Sequence, residues 1–211
     1  SMTSPAVTAA PGSHGTCSAA ETVATSKRAP YTEASSIARR SPGARVASRA
    51  VTHDIREFVF RSDAPAEFLP GQYALLALPG LDRERAYSMA NLPNAAGEWH
   101  FRIRKVAGGG ASEVLFSQLA VGTAIGLDGP YGMAHLRTDS PRDIVCIAGG
   151  SGLAPMLSVA RGVAAEPALA GRKLDFFYGG RTPADICGQS ELAALPGFGE
   201  TIRYHAAVSD A

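Results

Sequence analysis

The stretch from Asp143 to Pro155 constrains the fold of this 211-residue chain more than any other. Asp143-Ile144-Val145-Cys146-Ile147-Ala148 holds an uninterrupted apolar run of strand length, the pattern of a strand buried in a parallel sheet. Gly149-Gly150-Ser151-Gly152-Leu153-Ala154-Pro155 follows at once, and Met156, Leu157, Val159, Ala160 and Val163 then recur at helical spacing. Strand, glycine turn and helix start together make an anion site, because free amides and the helix dipole both favour phosphate. Pro155 suits the first helical turn, where its missing N–H costs nothing. Residues 174–178 read as the next strand, giving a βαβ unit. Residues 184–195 read as a second helix and 201–205 as a third strand.

The glycine loop matches none of the common fingerprints. Pro155 stands where the dinucleotide motif has its last glycine, and Leu153 replaces the second glycine of a nucleophile elbow around Ser151. No Lys-Ser or Lys-Thr follows, which excludes an ATP-binding P-loop. A nucleotide pyrophosphate site remains, with a tight structural turn as the alternative. Arg181 lies past the second strand, where a ribose-reading residue belongs. A basic residue there favours NADP, Asp185 nearby blurs the preference, and an ordinary exposed loop arginine is the other reading.

Upstream the pattern is all-β. Short alternating runs recur at 46–51, 55–60, 73–78, 86–90, 99–106 and 123–127, separated by Pro70-Gly71, Pro79-Gly80, Asn94 and Gly97. Such strands predict a small closed barrel ahead of the α/β unit. The fourth run carries Arg85-Ala86-Tyr87-Ser88. An arginine there can clamp a phosphate, an aromatic ring two residues on can lie against a flat ring system, and the next hydroxyl can bond a ring nitrogen. Gly108-Gly109-Gly110-Ala111-Ser112 is a second, smaller glycine turn, with Ser112 placed to cap a helix over 112–119. A plain β-to-helix connection is the alternative. Gly129-Pro130-Tyr131-Gly132 reads as a turn between domains. One stacking platform and two phosphate cradles describe two nucleotides brought face to face, the arrangement of hydride transfer.

A net charge of +1 and 45% apolar residues point to neither nucleic acid nor a membrane surface as partner. Three cysteines, Cys17, Cys146 and Cys187, are odd in number and far apart, so a reducing cytoplasm is the simplest setting. Five scattered histidines give no ligand pair, and no protein metal site is expected. His53, His100 and His135 show no acid or cysteine partner in the sequence and receive no role. Residues 1–44, rich in Ala, Ser, Thr, Pro and Gly, read as a weakly structured tail. The expected domains are then a barrel over 45–138 and a nucleotide domain over 139–211.

Taken together, these motifs resemble the ferredoxin–NADP reductase superfamily, and within it the reductase components of bacterial aromatic-ring monooxygenases and dioxygenases. Phe68-Leu69-Pro70-Gly71-Gln72-Tyr73, Arg85-Ala86-Tyr87-Ser88-Met89-Ala90-Asn91, and Tyr178-Gly179-Gly180-Arg181-Thr182-Pro183 look similar to the toluene-type reductases. The resemblance covers roughly residues 45–208. It implies an antiparallel FAD barrel followed by a parallel NAD(P)H domain. Carried over, Arg85 holds the FAD pyrophosphate, Tyr87 stacks on the isoalloxazine and Ser88 contacts its N5. Arg104, Gly108, Gly109 and Ser112 join the cofactor-binding set. Gly149, Gly150, Ser151, Gly152 and Arg181 hold NADH or NADPH. The implied activity is a flavin-dependent reductase passing electrons from NAD(P)H to a ferredoxin or oxygenase component. A free-standing flavin or ferredoxin reductase and a non-catalytic flavin-binding fragment are the alternatives. Two departures are expected to matter: Cys17 alone cannot hold a 2Fe–2S cluster, and the family's terminal Cys-Gly-Pro-Pro segment does not occur before Ala211. The nucleotide domain is therefore expected to be truncated, to expose Ile144, Val145 and Ile147, and to self-associate.

Overall fold

The computed structural model of the chain describes residues 41–210. Cys17 and most of the expected tail lie outside these residues. The strand β1 (Ser41–Ala50) begins ahead of the expected boundary at 45. Pro42 and Gly43 fall in the expected weakly structured tail, yet Gly43 pairs with Ser62 and Ile125 on either side. A Cβ on Gly43 would sit 2.5 Å from Leu127 Cδ1, so close packing explains this glycine.

The first lobe is the expected antiparallel sheet. It adds β2 (Ile55–Ser62), β3 (Tyr73–Ala77), β4 (Arg85–Ser88), β5 (Glu98–Arg104) and β6 (Ala124–Tyr131), in the order β4-β3-β6-β1-β2-β5. Its outer strands meet: Met89, just past β4, bridges Phe101 of β5, and the Ala90 amide donates to His100 O at 2.8 Å. The sheet thereby curls around a core containing Phe58, Phe60, Leu76, Met89, Phe101 and Leu115. Period-two alternation builds this interior, since every second residue of β5 (Trp99, Phe101, Ile103) faces it.

Two local expectations need correction. The helix read over 112–119 starts earlier, as α1 (Gly110–Glu113), and passes into a wider π-turn at Val114–Gln118. Ser112 does not cap it; Gly109 is the cap residue. Nor is 129–132 a linker, because β6 runs through Tyr131, which pairs with Tyr73. A Cβ on Gly129 would lie 3.0 Å from Ala74 Cβ, so this glycine serves close strand approach.

The second lobe is a parallel sheet in the order β7 (Ile144–Gly149), β8 (Leu174–Gly180), β9 (Ile202–Val208). The helix α2 (Leu153–Ala165) connects the first pair and α3 (Gln189–Ala193) the second. The second helix is shorter than the sequence suggests. Asp185 closes a turn onto Thr182, and Gly188 takes a φ of +91° before the helix begins. Leu153, Leu157, Phe176, Tyr178, Leu192 and Ile202 pack on one side of the sheet. On the other side Val145 and Ile147 are 62% and 75% exposed, whereas Ile144 is half-buried. The apolar run is written for cover on both faces, and the described residues cover one. Cys146 is core: burial pushes its thiol up to about 12, which makes it a packing residue. Among the described residues no helix is long and apolar enough to cross a membrane.

Candidate functional site

The stacking platform sits where the barrel sheet closes. In β4, Tyr87 pairs with Ala74 and Ser88 with Tyr73. The Tyr87 ring packs partly on the barrel core, 6.4 Å from the Phe101 centroid. Burial raises its phenol pKa, against the opposing effect of Arg85. Arg85 is exposed, its guanidinium braced on Arg83 O at 3.2 Å and Glu84 O at 3.1 Å. Tyr131, a second aromatic at this end, lies 5.8 Å from the Tyr73 ring and donates to Asp128 at 2.8 Å.

The smaller glycine turn leads out of β5. Gly108 takes a φ of +69° with nothing near its Cβ position, so its conformation alone demands glycine. Ser112 is buried and its hydroxyl is spent inside the turn: it donates to Val106 O (3.0 Å) and Gly109 O (2.9 Å) and accepts from the Val106 amide. It shapes the loop from within. A Cβ on Gly110 would lie 3.5 Å from Leu81 Cδ2 in the β3–β4 hairpin, which sets this turn beside the strand of Arg85 and Tyr87.

The larger loop forms the carboxyl end of β7. Gly149 is extended, Gly150–Gly152 make one tight turn containing the half-buried Ser151, and α2 starts at Leu153 with Pro155 in its first turn. Gly150 has a φ of +56°, and Tyr178 donates its hydroxyl to Gly150 O at 3.1 Å. Arg104, arriving from the barrel, lies against the same glycine: a Cβ there would be 2.9 Å from Nη2. Asp54 steadies Arg104, its Oδ2 2.9 Å from Nε. Arg104 therefore stands at the nucleotide-lobe loop. Gly152 differs from its neighbours, because its φ is −61° and no atom lies within 4 Å of its Cβ position. Nothing among the described residues requires glycine there. Arg181 is exposed beyond β8, while Asp185 is committed to the Thr182 amide and hydroxyl at 2.9 and 3.1 Å.

A family model described as an oxidoreductase FAD-binding domain matches residues 45–136, and one described as an oxidoreductase NAD-binding domain matches 146–210. The chain belongs to the ferredoxin–NADP reductase superfamily. It is 46% identical over 152 residues to the ferredoxin–NAD(+) reductase component of an alkene monooxygenase system from Xanthobacter autotrophicus, covering 72% of this chain and 45% of that one. It is 41% identical over 144 residues to the reductase component of naphthalene 1,2-dioxygenase/salicylate 5-hydroxylase systems from Ralstonia, covering 68% and 43%. Among solved structures, the ferredoxin reductase in carbazole 1,9a-dioxygenase superposes with a TM-score of 0.73 at 35% identity, over 81% of this chain and 50% of that one. The chain spans about half the length of the curated relatives it matches.

The residues present fit the two cofactors of a reductase in this superfamily. A half-buried ring, an exposed guanidinium and an open glycine turn lie together in the FAD-binding domain. The NAD-binding domain offers a helix start whose Gly152 faces open space. What sequence reasoning missed is the framing of these groups. Tyr178, Asp54, Ser158 and Arg161 hold the loops in place from positions with no motif of their own. A signal existed for the last two, since both are polar residues inside the apolar pattern of α2. The histidines need correction as well: His100 lies 3.9 Å from Glu57 and 3.5 Å from Glu98, and His53 3.9 Å from Asp54. His53, Asp54 and Asp185 cluster within 4.8 Å, but Arg104, Thr52 and Thr182 already engage the two carboxylates.

Proposed function

We propose that the protein takes electrons from NADH or NADPH and passes them through FAD to a ferredoxin or oxygenase component in the cytoplasm. The observation that carries this reading is the joining of the two cradles through one helix. The helix that starts at the Gly149–Gly152 loop also grips the strand of the platform, through Ser158 Oγ to Asn91 O and Arg161 Nη1 to Ala90 O, both 2.7 Å. Ala90 and Asn91 follow Tyr87 and Ser88 with only Met89 between. The pyrophosphate cradle and the stacking platform are thus parts of one rigid connection, as a transfer between two bound rings requires.

FAD supplies the chemistry, since a flavin accepts two electrons as hydride and releases them singly. The chain's residues bind and orient. Arg85 offers a forked guanidinium to a pyrophosphate, Tyr87 a ring face, and Ser88 a hydroxyl at the ring edge. Gly108 and Gly109 shape the turn, the Gly109 amide donating to Val106 O at 3.0 Å, and Ser112 fixes its curvature. Gly150, Ser151 and Gly152 present the α2 start to the nicotinamide nucleotide, with Arg104 adding positive charge from the barrel side. Arg181 stands at the β8 end, where the ribose of the nucleotide is read. Relatives 46% and 41% identical to this chain are reductase components of oxygenase systems, which supports the choice of acceptor.

The test is anaerobic stopped-flow reduction of the FAD-loaded protein by NADH and by NADPH. Bleaching of the flavin by at least one nucleotide is expected. Tyr87→Ala should weaken flavin retention by roughly 1–3 kcal/mol, the worth of an aromatic stacking contact. Gly152→Ala should leave flavin bound and weaken the nucleotide. A protein that takes up no flavin, or whose flavin neither nucleotide bleaches, overturns the reading.

A further inference from the structure

Beyond the two cradles, the lobes share an ionic seam centred on a buried arginine. Arg102 lies on the face of β5 opposite the barrel core, where alternation would leave it in water, yet its side chain is 0% exposed. Its Nε donates to Glu57 Oε2 at 3.1 Å, and its Nη2 donates to Glu191 of α3. Arg49 of β1 bonds the same two carboxylates, at 2.9 Å to Glu57 and 3.4 Å to Glu191. Burial lowers the pKa of Arg161 of α2, and the nearby charge of Arg102 lowers it further. Glu191 is thus a carboxylate of the nucleotide lobe inserted among guanidinium groups of the barrel. Burial alone would raise its pKa, but Arg102 and Arg49 outweigh burial and hold it below the ordinary value.

Such a cluster is a poor source of stability, because desolvating the charges consumes most of what their attraction returns. Its geometry is another matter. Two forked guanidinium groups converging on two carboxylates admit few relative positions. They lie on the same lobe boundary as the Ser158 and Arg161 bonds to residues 90 and 91.

We propose that Glu191 is a positioning residue, which through Arg102 and Arg49 locks the nucleotide lobe at the angle that brings the Gly150 loop and the Tyr87 strand into reacting register. The inference rests on the function proposed above. It gives the seam a kinetic role, since a misplacement of about 1 Å can cost on the order of 100-fold in rate.

The experiment compares wild type, Glu191→Gln and Glu191→Asp as FAD-loaded full chains. Glu191→Gln keeps the shape and removes the charge. Its limiting rate of flavin reduction should fall at least tenfold, while nucleotide Kd and flavin retention change less than twofold. Glu191→Asp, which keeps the charge, should recover most of the rate. Hydrogen exchange provides a readout independent of turnover: in Glu191→Gln, peptides covering 88–91 and 189–193 should exchange at least tenfold faster, with β2 unchanged. A limiting rate within twofold of wild type overturns the proposal, and so does a slowed rate with unaltered exchange at the seam. Exchange that rises throughout the barrel overturns it too, by showing a general loss of structure. A wild-type chain that is never reduced defeats the functional reading instead, and seam exchange then decides the lock by itself.

Discussion

The barrel and the nucleotide lobe bury their apolar residues in opposite ways. The barrel curls one antiparallel sheet until Met89 meets Phe101, so a single alternating pattern fills one interior. The parallel sheet cannot close on itself. Its first strand hides Cys146 beneath α2 and leaves Val145 and Ile147 outside. The two cradles differ in the same sense. Gly108 stands clear of the rest of the barrel, whereas Gly150 is enclosed by Arg104 and Tyr178. The barrel is a self-contained platform, and the nucleotide loop depends on its neighbour for its shape.

The largest expected effect tests barrel closure. Phe101→Ala removes a fully buried ring at the closing bridge and should cost about 3–5 kcal/mol in denaturant unfolding. A loss below about 1 kcal/mol would mean that the closure contributes little. Next comes the contrast within β7. Cys146→Asp places an unpaired charge in the core and should cost roughly 3 kcal/mol, while Val145→Asp on the open face should stay within about 0.5 kcal/mol. Equal losses in thermal melts would erase the distinction between the faces.

The cradles give a smaller contrast. Both glycines have positive φ, so alanine at either should cost about 1–2 kcal/mol. Gly150→Ala must also displace Arg104, and should therefore lose more stability than Gly108→Ala as well as nucleotide affinity, measured by titration. The smallest effect is that of pH. Glu191 has a lowered pKa in the folded protein, with Arg102, Arg49 and Arg161 near it and Glu57 sharing the first two. Its contribution is fully present above the ordinary glutamate value of 4.5 and is lost as pH falls through the lower folded value. Seam exchange should accordingly rise in wild type on acidification below about 4.5 and rise less in Glu191→Gln. Identical acid profiles would remove Glu191 from the account.

Local pattern determined a good deal. Alternation in β2, β3 and β5 gave the barrel strands, and the apolar run with its glycines gave β7, the loop and α2. Chemistry that depends on neighbouring residues, such as Arg85 through Ser88, was legible for the same reason. The sequence by itself therefore determined the order of the lobes, their strands and both glycine turns, because each follows from backbone preference and periodicity over a few residues. Only the tertiary structure decided the rest. The Ser112 hydroxyl turned inward to Val106 and Gly109, β6 ran on through Tyr131, and Arg104 crossed to Gly150. Alternation placed Arg102 outside the barrel core, but whether that side meets water depends on Glu191, which lies 89 residues away in sequence. No local rule spans that separation: the burial of a charge is set by what packs over it.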